Sequence, residues 1–355
     1  MISPASHALH DPCATPGERT IIDRIRTRLP PAPASLIVAV GDDAAVAIPE
    51  RGALQVLTTD ALVEGVHFDR RFSSLADVGY KAIAVNVSDV AAMGGTPSLA
   101  LVSLMLPDGT SLEDIDALLD GILEMSGIAR VAVAGGNITR SPGALIVDVT
   151  ATGHVRPRRI LRRSGGRPGD ALYVTGSIGA AAAGLDWLQE KVRLEADAAA
   201  SRNVRLHPDD DGLAACVGRH RRPEPRLRIG AVLGRARVAS ACMDLSDGLA
   251  DAVRQIAEAS GTGAAIDASA LPIDSAARAW FTARDRDPVD AALSGGDDYE
   301  LLFAVPRKTA RRLRSAETAA RGVPLTRIGE LTTEPDLMVG RDGRSAPLPR
   351  GFTHF

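Results

Sequence analysis

The sequence predicts an α/β protein (α+β in the broader sense) of two domains, and three observations carry that reading. Short apolar runs of strand type alternate with longer runs of helical period. The chain has 355 residues, enough for two ordinary domains and a sizeable core. A basic stretch, RPRRILRRSGGRPGD (156–170), then divides it into halves of similar size. We expect an N-terminal tail over 1–17, a first domain over 18–155 and a second over 156–355.

The elements follow in order. ERTIIDRIRTRL (18–29) reads as a short amphipathic helix, and SLIVAV (35–40) as a buried-type strand stopped by GDD. ALQVLTTD (53–60) reads as a second strand, ending on an aspartate. LADVGYKAIAVNVSDVAAMGG (75–95) has helical character and a glycine pair suited to a C-cap. After a strand near 98–106, Ser111 with Asp114 three residues on opens a helix in capping-box style, running to about 129. VAVAGGNITRSP (131–142) reads as a strand that two glycines turn sharply, the turn ending on Asn137. ALIVDVTATGHV (144–155) closes this half. In the second half ALYVTG (171–176) is a strand leading into an alanine-rich helix. VASACMDLSDGLADAVRQIAEAS (238–260) reads as strand, turn and helix. GGDDYELLFAV (295–305) is a turn into a strand, followed by a basic helix and the strand LTRIGEL (325–331).

Composition narrows the function classes. Hydrophobic residues make up 45% and charged residues 24%, as in ordinary globular proteins, and the net charge of -3 gives no general pull toward nucleic acid. Cys13, Cys216 and Cys242 lie far apart, without zinc-like pairing, which fits a reducing compartment. The first twenty residues lack a continuous apolar core, and no stretch is apolar for long enough to span a membrane. A cytoplasmic location is the expectation.

The placing of the aspartates is the main chemical signal. Asp42 and Asp43 follow one strand and Asp60 another, with Thr58 and Thr59 before it. Asp89 is on a helix face shared with Asn86, Asp244 and Asp247 flank Ser246 at a strand-to-helix turn, and Asp297 and Asp298 follow a diglycine. Each alone reads first as a turn or cap residue, and Asp247 especially so in SDGLADAV. Their recurrence at strand ends points instead to a ligand crevice. Carboxylates that converge there repel one another unless a cation sits among them, and magnesium suits such oxygen ligands and substrate phosphates. There is no Walker-type loop, and TGSIGAAAAG (175–184) lacks its lysine, so its glycines are read as helix-packing positions. The six arginines between Arg156 and Arg167 stand open as a nucleic-acid patch, a solvated linker or a phosphate clamp. No aromatics are interleaved, which weakens the first reading. His67 in EGVHF has no second histidine or cysteine at metal spacing, so it reads as a structural or substrate-contact residue.

The motifs GDDAAV, TTDALVEGVHF, YKAIAVNVSDVAAMGGTP, GGNITRSP, RRSGGRPGDALYVTG, RRPEPRLRIG, CMDLSDGLADAV, SGGDDYELLF and the terminal GFTHF occur in this order from about residue 17 to the end. In this the chain resembles the thiamine-monophosphate kinase family, of the superfamily named after aminoimidazole ribonucleotide synthetase. The resemblance implies an N-terminal sheet domain that binds ATP and magnesium and pairs with its twin across a homodimer in a shared barrel. A C-terminal α/β domain packs against it. Magnesium ligands carried over residue by residue fall on Asp43, Thr59, Asp60, Asp89, Asp244 and Asp247, with Thr58 nearby. Of these, Asp60, Asp89 and Asp247 are expected to be catalytic. ATP contacts fall on Gly136, Asn137, Arg163 and Ser246, and contacts to thiamine monophosphate on His67, Asp297 and Phe352. Two positions depart from the family pattern: Asn137 stands for an aspartate in GGD, and Asp297 for the glutamate in GGEDYE. The implied reaction is ATP-dependent phosphorylation of thiamine monophosphate to the diphosphate at several magnesium ions, with no nucleic-acid or membrane partner. Two other readings stand beside it: a related ATP-using enzyme with a different acceptor, and a catalytically silent nucleotide binder.

Overall fold

The computed structural model describes residues 16–200 and 211–351, with backbone only for 197–200 and 211–212. Phe352, Cys13 and nearly all of the expected tail over 1–17 lie outside the described residues. The chain begins with α1 (Glu18–Arg28) and a small ribbon of β1 (Leu36–Val38) and β2 (Val46–Ala47). Next come β3 (Leu54–Val63), α2 (Leu75–Ala92), β4 (Thr96–Pro107), α3 (Leu112–Ala129), β5 (Ala132–Ser141) and β6 (Ile146–Val155). The four strands form one sheet in the order β3-β6-β4-β5. β4 and β5 are parallel, with α3 as their crossover, and the other pairings are antiparallel.

The second half starts with β7 (Ala171–Thr175), α4 (Ala180–Ala200), α5 (Asp211–Arg221), α6 (Leu227–Ala236), β8 (Ala241–Asp244) and α7 (Leu249–Ser260). It continues with β9 (Gly263–Asp267), α8 (Ser275–Thr282), α9 (Pro288–Ser294), β10 (Leu301–Val305) and α10 (Ala310–Ala320). The strands β11 (Leu325–Thr332), β12 (Leu337–Arg341) and β13 (Arg344–Pro347) complete it. Its seven-stranded sheet runs β13-β12-β9-β11-β7-β10-β8, and β9 with β12 is its parallel pair. Each domain thus has its own sheet and its own apolar core.

Both capping boxes are formed, Ser74 with Asp77 at α2 and the expected Ser111 with Asp114 at α3. The glycine pair after α2 also acts as read, with Gly94 at φ 70°. Two readings change. β3 does not stop at Asp60 but runs on to Val63, because β6 offers it an unbroken antiparallel partner. The glycines of VAVAGGN do not turn the chain: β5 passes straight through them beside β4, and a bulge absorbs the irregularity. A Cβ on Gly136 would stand 1.9 Å from the carbonyl oxygen of Val102, so these glycines serve close backbone approach within a sheet.

α2 is the centre of the molecule. The four-stranded sheet lays Ala100, Val102, Leu104, Val147, Val149 and Ala151 against the α2–α3 layer, all buried. On its other side α2 meets α6 and β8 of the second domain. The helices touch backbone to backbone at glycines: a Cβ on Gly79 would lie 2.0 Å from the carbonyl oxygen of Leu118, and one on Gly121 1.8 Å from that of Ala76. Gly184 does the same for α4 against Cys216 of α5, as the helix-packing reading expected.

Gly121→Ala is therefore expected to lower the unfolding free energy by about 3 kcal/mol, because the helices must move apart. Gly127→Ala, on the same helix with nothing within 4 Å, should raise it by about 1 kcal/mol. Urea unfolding of the two variants checks this, and equal effects would contradict the packing argument.

Candidate active site

Strand alternation sorts the β3 side chains before any contact is considered. Thr58 and Asp60 stand opposite Ala151 and Val149, both buried, so they face α2. Thr59 and Ala61 face outward. Thr58 donates a hydrogen bond from Oγ1 to Oδ2 of Asp89 near the end of α2. The preceding residue, Ser88, donates from Oγ to Oδ2 of Asp244, 2.6 Å away at the end of β8. Asn86 turns elsewhere, its Nδ2 donating to the Ala82 carbonyl at 2.9 Å. Thr58, Asp89, Asp244 and Arg163 line one cleft of about 170 Å³ between the two domains.

The cleft is electrostatically strained. Burial, then the negative charges of Asp89 and Asp60, push Asp244 from 3.8 up to about 7, although the Ser88 hydroxyl opposes this. Asp60 is open to solvent on one side, yet burial of the rest and the charges of Asp89, Asp247 and Asp148 raise it to about 6. Burial also raises Asp89, against the Thr58 hydrogen bond and the positive charge of Arg163. Four carboxylates from β3, α2, the end of β8 and the turn after it therefore act on one another. Among the described residues no three His, Cys, Asp or Glu side chains form a ready-made metal cage.

A second polar group sits further along α2. Lys81, 4% exposed in its side chain, places Nζ 2.8 Å from Oδ2 of Asp297 and 3.3 Å from the His67 carbonyl oxygen. His220 brings Nδ1 to 3.3 Å from the same Asp297 oxygen. Burial would raise Asp297, but Lys81 and His220 outweigh it and hold the carboxyl well below its usual range. His220 itself is lowered, by burial first, with the Asp297 contact opposing this. Asp297 and Tyr299 both occupy the left-handed region, at φ 68° and 49°. Such strain persists only where neighbours enforce it. Here the Asp297 and Tyr299 amides donate to the Ser246 and Leu245 carbonyls at 2.7 and 2.9 Å, tying this turn to the one holding Asp247.

Asp247 is no helix cap, since α7 begins at Leu249 with Gly248 as its N-cap. The Ser246 Oγ lies 3.4 Å from the Asp247 carboxylate. Arg163 also donates to Gln255. His67 accepts from the Val63 amide at Nδ1, 3.1 Å away. Asp43 lies exposed in the turn after β1, where its backbone amide donates to Oδ1 of Asp42 at 2.9 Å. Thr59 and Asn137 are on the outward sheet face. Asn137 stands opposite Ser103, and Ser103 opposite Asp148, three strands from Asp60 on β3. Gly136 is on the same edge strand. Sequence reasoning missed Lys81, Ser88, Asp148 and His220. Asp148 lies in a run read only as a strand, yet its Oδ1 accepts from Thr59 Oγ1 at 3.2 Å.

Residues 41–155 match the family model of the AIR synthase related protein N-terminal domain, and 167–341 that of its C-terminal domain. Thiamine-monophosphate kinase from Escherichia coli K12 is 37% identical over 345 residues, covering 96% of this chain and 98% of its own. The chain belongs to the thiamine-monophosphate kinase family of AIR synthase related proteins. Two solved relatives share its two-domain α/β fold. The crystal structure of the kinase from Stenotrophomonas maltophilia K279a gives a TM-score of 0.76 at 35% identity, covering 93% of this chain and 98% of that one. The structure described as AaThiL complexed with AMPPCP and TMP gives 0.72 at 31%, covering 96% and 97%.

The raised carboxyls of this family member predict an unusual pH dependence of its stability. Asp60, Asp244 and Asp298 rise from 3.8 to about 6, 7 and 7; for Asp298 burial outweighs the Gly179 and Ala181 amides that it accepts from. Below pH 4 both folded and unfolded chains are protonated at these sites, and the favourable contribution is complete. As pH rises through 6 to 7 the folded chain must ionise them, and the contribution is lost. The thermal midpoint in EDTA should accordingly be lower at pH 8 than at pH 5.5, and Asp298→Asn should reduce the difference. A midpoint that rises with pH over this range would contradict the assignment.

Proposed function

We propose that this chain transfers the γ-phosphoryl group of ATP to thiamine monophosphate, giving thiamine diphosphate by direct in-line displacement. The observation that carries the reading is the convergence of Asp60, Asp89, Asp244 and Asp247 from both domains. It lies eight residues along α2 from the Lys81–Asp297–His67 group, about 12 Å at the helical rise. A site for a nucleotide's phosphates beside a site for a second, smaller molecule is what phosphoryl transfer between two substrates requires. The names of the relatives, and one solved with AMPPCP and TMP, support the same choice.

The donor set is all oxygen and carries more negative charge than the cleft can hold alone, which fits a hard dication. In this reading Thr58, Asp60, Asp89, Asp244 and Asp247 would hold magnesium, with Asp89, Asp60 and Asp247 at the transfer itself, and the family resemblance alone adds Asp43 and Thr59 to the set. Bound there, magnesium supplies charge neutralisation for the triphosphate and the incoming phosphate. Arg163 opposes the charge of Asp89 in the cleft, where its planar fork suits phosphate oxygens. Ser246 completes the ATP contacts in the cleft, while Gly136 and Asn137, on β5 three strands from Asp60, are assigned to ATP by the family resemblance alone. His67, Asp297 and Phe352 bind the acceptor, and an ionised Asp297 suits its positively charged thiazolium ring. Lys81 fixes both Asp297 and the His67 segment. The acceptor phosphate has its second pKa near ~6 and is mostly dianionic at neutral pH, so no strong general base is needed.

The proposal extends to assembly and place. The chain divides at about 155/156, which the family matches support. The outward face of the four-stranded sheet presents Leu57 at 66% and Leu101 at 41% exposure, beside the long edge strand β3. A second copy covering this face closes a shared barrel and encloses Thr59 and Asn137. A cytoplasmic location is supported by the buried free thiols Cys216 and Cys242. No helix among the described residues is long and apolar enough to cross a membrane.

Purified protein with magnesium, ATP and thiamine monophosphate should form thiamine diphosphate, detected by chromatography. Asp89→Asn should lower kcat/KM by about 100-fold or more with the thermal midpoint nearly kept. Near-normal turnover in that variant would overturn the transfer site. Sedimentation should give about twice the 37.0 kDa chain mass. Leu57→Glu combined with Leu101→Glu should return the monomer, and an intact dimer in that variant would move the interface elsewhere.

A further inference from the structure

Two basic runs about eighty residues apart meet on the surface of the second domain. After β6 the chain makes a single tight turn at Pro157–Arg159, which packs against the C-terminal end of α6. Arg156, Pro157, Arg158, Arg159, Arg235 and Arg237 together line a recess of about 600 Å³. The backbone holds this meeting in place. The Arg159 amide donates to the Arg156 carbonyl at 2.8 Å, and Gly234 of α6 sits so close that a Cβ there would be 2.4 Å from the Arg159 carbonyl oxygen.

No carboxylate lines the recess. Arg156 has a long ion pair with Glu50 at 3.8 Å. Among the described residues the side chains of Arg158, Arg159, Arg235 and Arg237 have no ion pair or hydrogen bond. In a protein with 41 basic and 44 acidic residues, four neighbouring guanidinium groups without a carboxylate are a local exception. Cations are favoured at a helix C-terminus, which offers a plain reason for Arg235 and Arg237. That end is already capped, however. The Arg237 and Val238 amides donate to the carbonyls of Gly234 and Leu233, and Arg312 reaches those of Ala236 and Arg237 at 3.5 and 3.3 Å.

We propose that this recess binds a small phosphate oligoanion, of the class of inorganic triphosphate or the polyphosphate chain of a nucleotide. Guanidinium forks match phosphate oxygens two by two, and a multiply charged anion is needed to offset several of them at once. No aromatic side chain lines the recess, so it offers bases nothing to stack on, which disfavours a nucleic-acid strand. It shares no lining residue with the candidate active site and is a separate site.

Calorimetric titration of the full chain with inorganic triphosphate, in EDTA and 150 mM salt, tests this. One site is expected, weakened at least tenfold in Arg158→Ala/Arg235→Ala and within twofold of wild type in the charge-matched Arg193→Ala/Arg278→Ala. ATP in EDTA should compete and adenosine should not, which marks the polyphosphate as the recognised part. Turnover in the kinase assay should be unchanged in Arg158→Ala/Arg235→Ala, so this site and the proposed reaction stand or fall separately. Absence of binding, an equal loss in both double variants, or tighter binding of a single-stranded oligonucleotide at the same arginines would overturn the proposal.

Discussion

Lys81, Ser88 and Asp89 project from a helix that is buried on nearly every side, so each needs a partner inside the protein. The partners come from three different elements. Asp89 meets Thr58 of β3, Ser88 meets Asp244 of β8, and Lys81 meets Asp297 in the turn before β10. The last two of these pairs join α2 to the second domain and help to set how it docks on the first. Removing one member of a buried charged pair typically costs about 3–5 kcal/mol, which is comparable to the stability of a whole domain. The same constraint gathers the carboxylates. Ser88 and Lys81 are met by carboxylates of the other domain and Asp89 by Thr58 of its own, and the cleft between the domains becomes rich in charge.

A second ionic centre reinforces the docking without entering the cleft. Glu300 is fully buried yet is met by Arg219 at 2.8 Å, by both ends of the Arg226 fork, and by the Thr175 hydroxyl. Arg222, four residues before Arg226, crosses to Asp77 and Glu124 of the first domain at 2.6 and 2.8 Å. RRPEPRLRIG therefore acts as a strap, with one arginine in each domain's structure. Arg163, by contrast, donates to Gln255 within the second domain and among the described residues makes no such crossing.

Much of this was legible in the residues. The Ser111–Asp114 capping box, the glycine stop after α2 and the alternating strands β4 and β6 rest on local rules, and local rules survive folding. The convergence of Asp60, Asp89 and Asp244 was legible for a related reason, since carboxylates placed at element ends are costly unless they share a site. VAVAGGN was misread because two glycines serve a turn and a close sheet contact equally well, and only the β4 partner decides between them. Lys81 and Ser88 were missed because inside LADVGYKAIAVNVSDVAAMGG they look like polar interruptions of a buried helix. Their meaning lies 216 and 156 residues away in sequence. No periodicity reports a pairing at that range. Asn137 shows the remaining gap: motif order assigns it to the phosphates, while strand register puts it on the opposite sheet face from Asp60.

The threading of the chain also sets an order of assembly. β3 is an edge strand whose partner, β6, begins more than eighty residues later, so the first sheet cannot close until residue 155 has left the ribosome. Even then α2 keeps one flank bare until α6 and β8 emerge near residues 227–244. Non-local pairing of this kind makes folding slow and leaves apolar surface uncovered during synthesis. At 5–20 residues per second, roughly, that flank waits several seconds. The exposed flank of α2 is covered only when the cleft between the domains is itself complete.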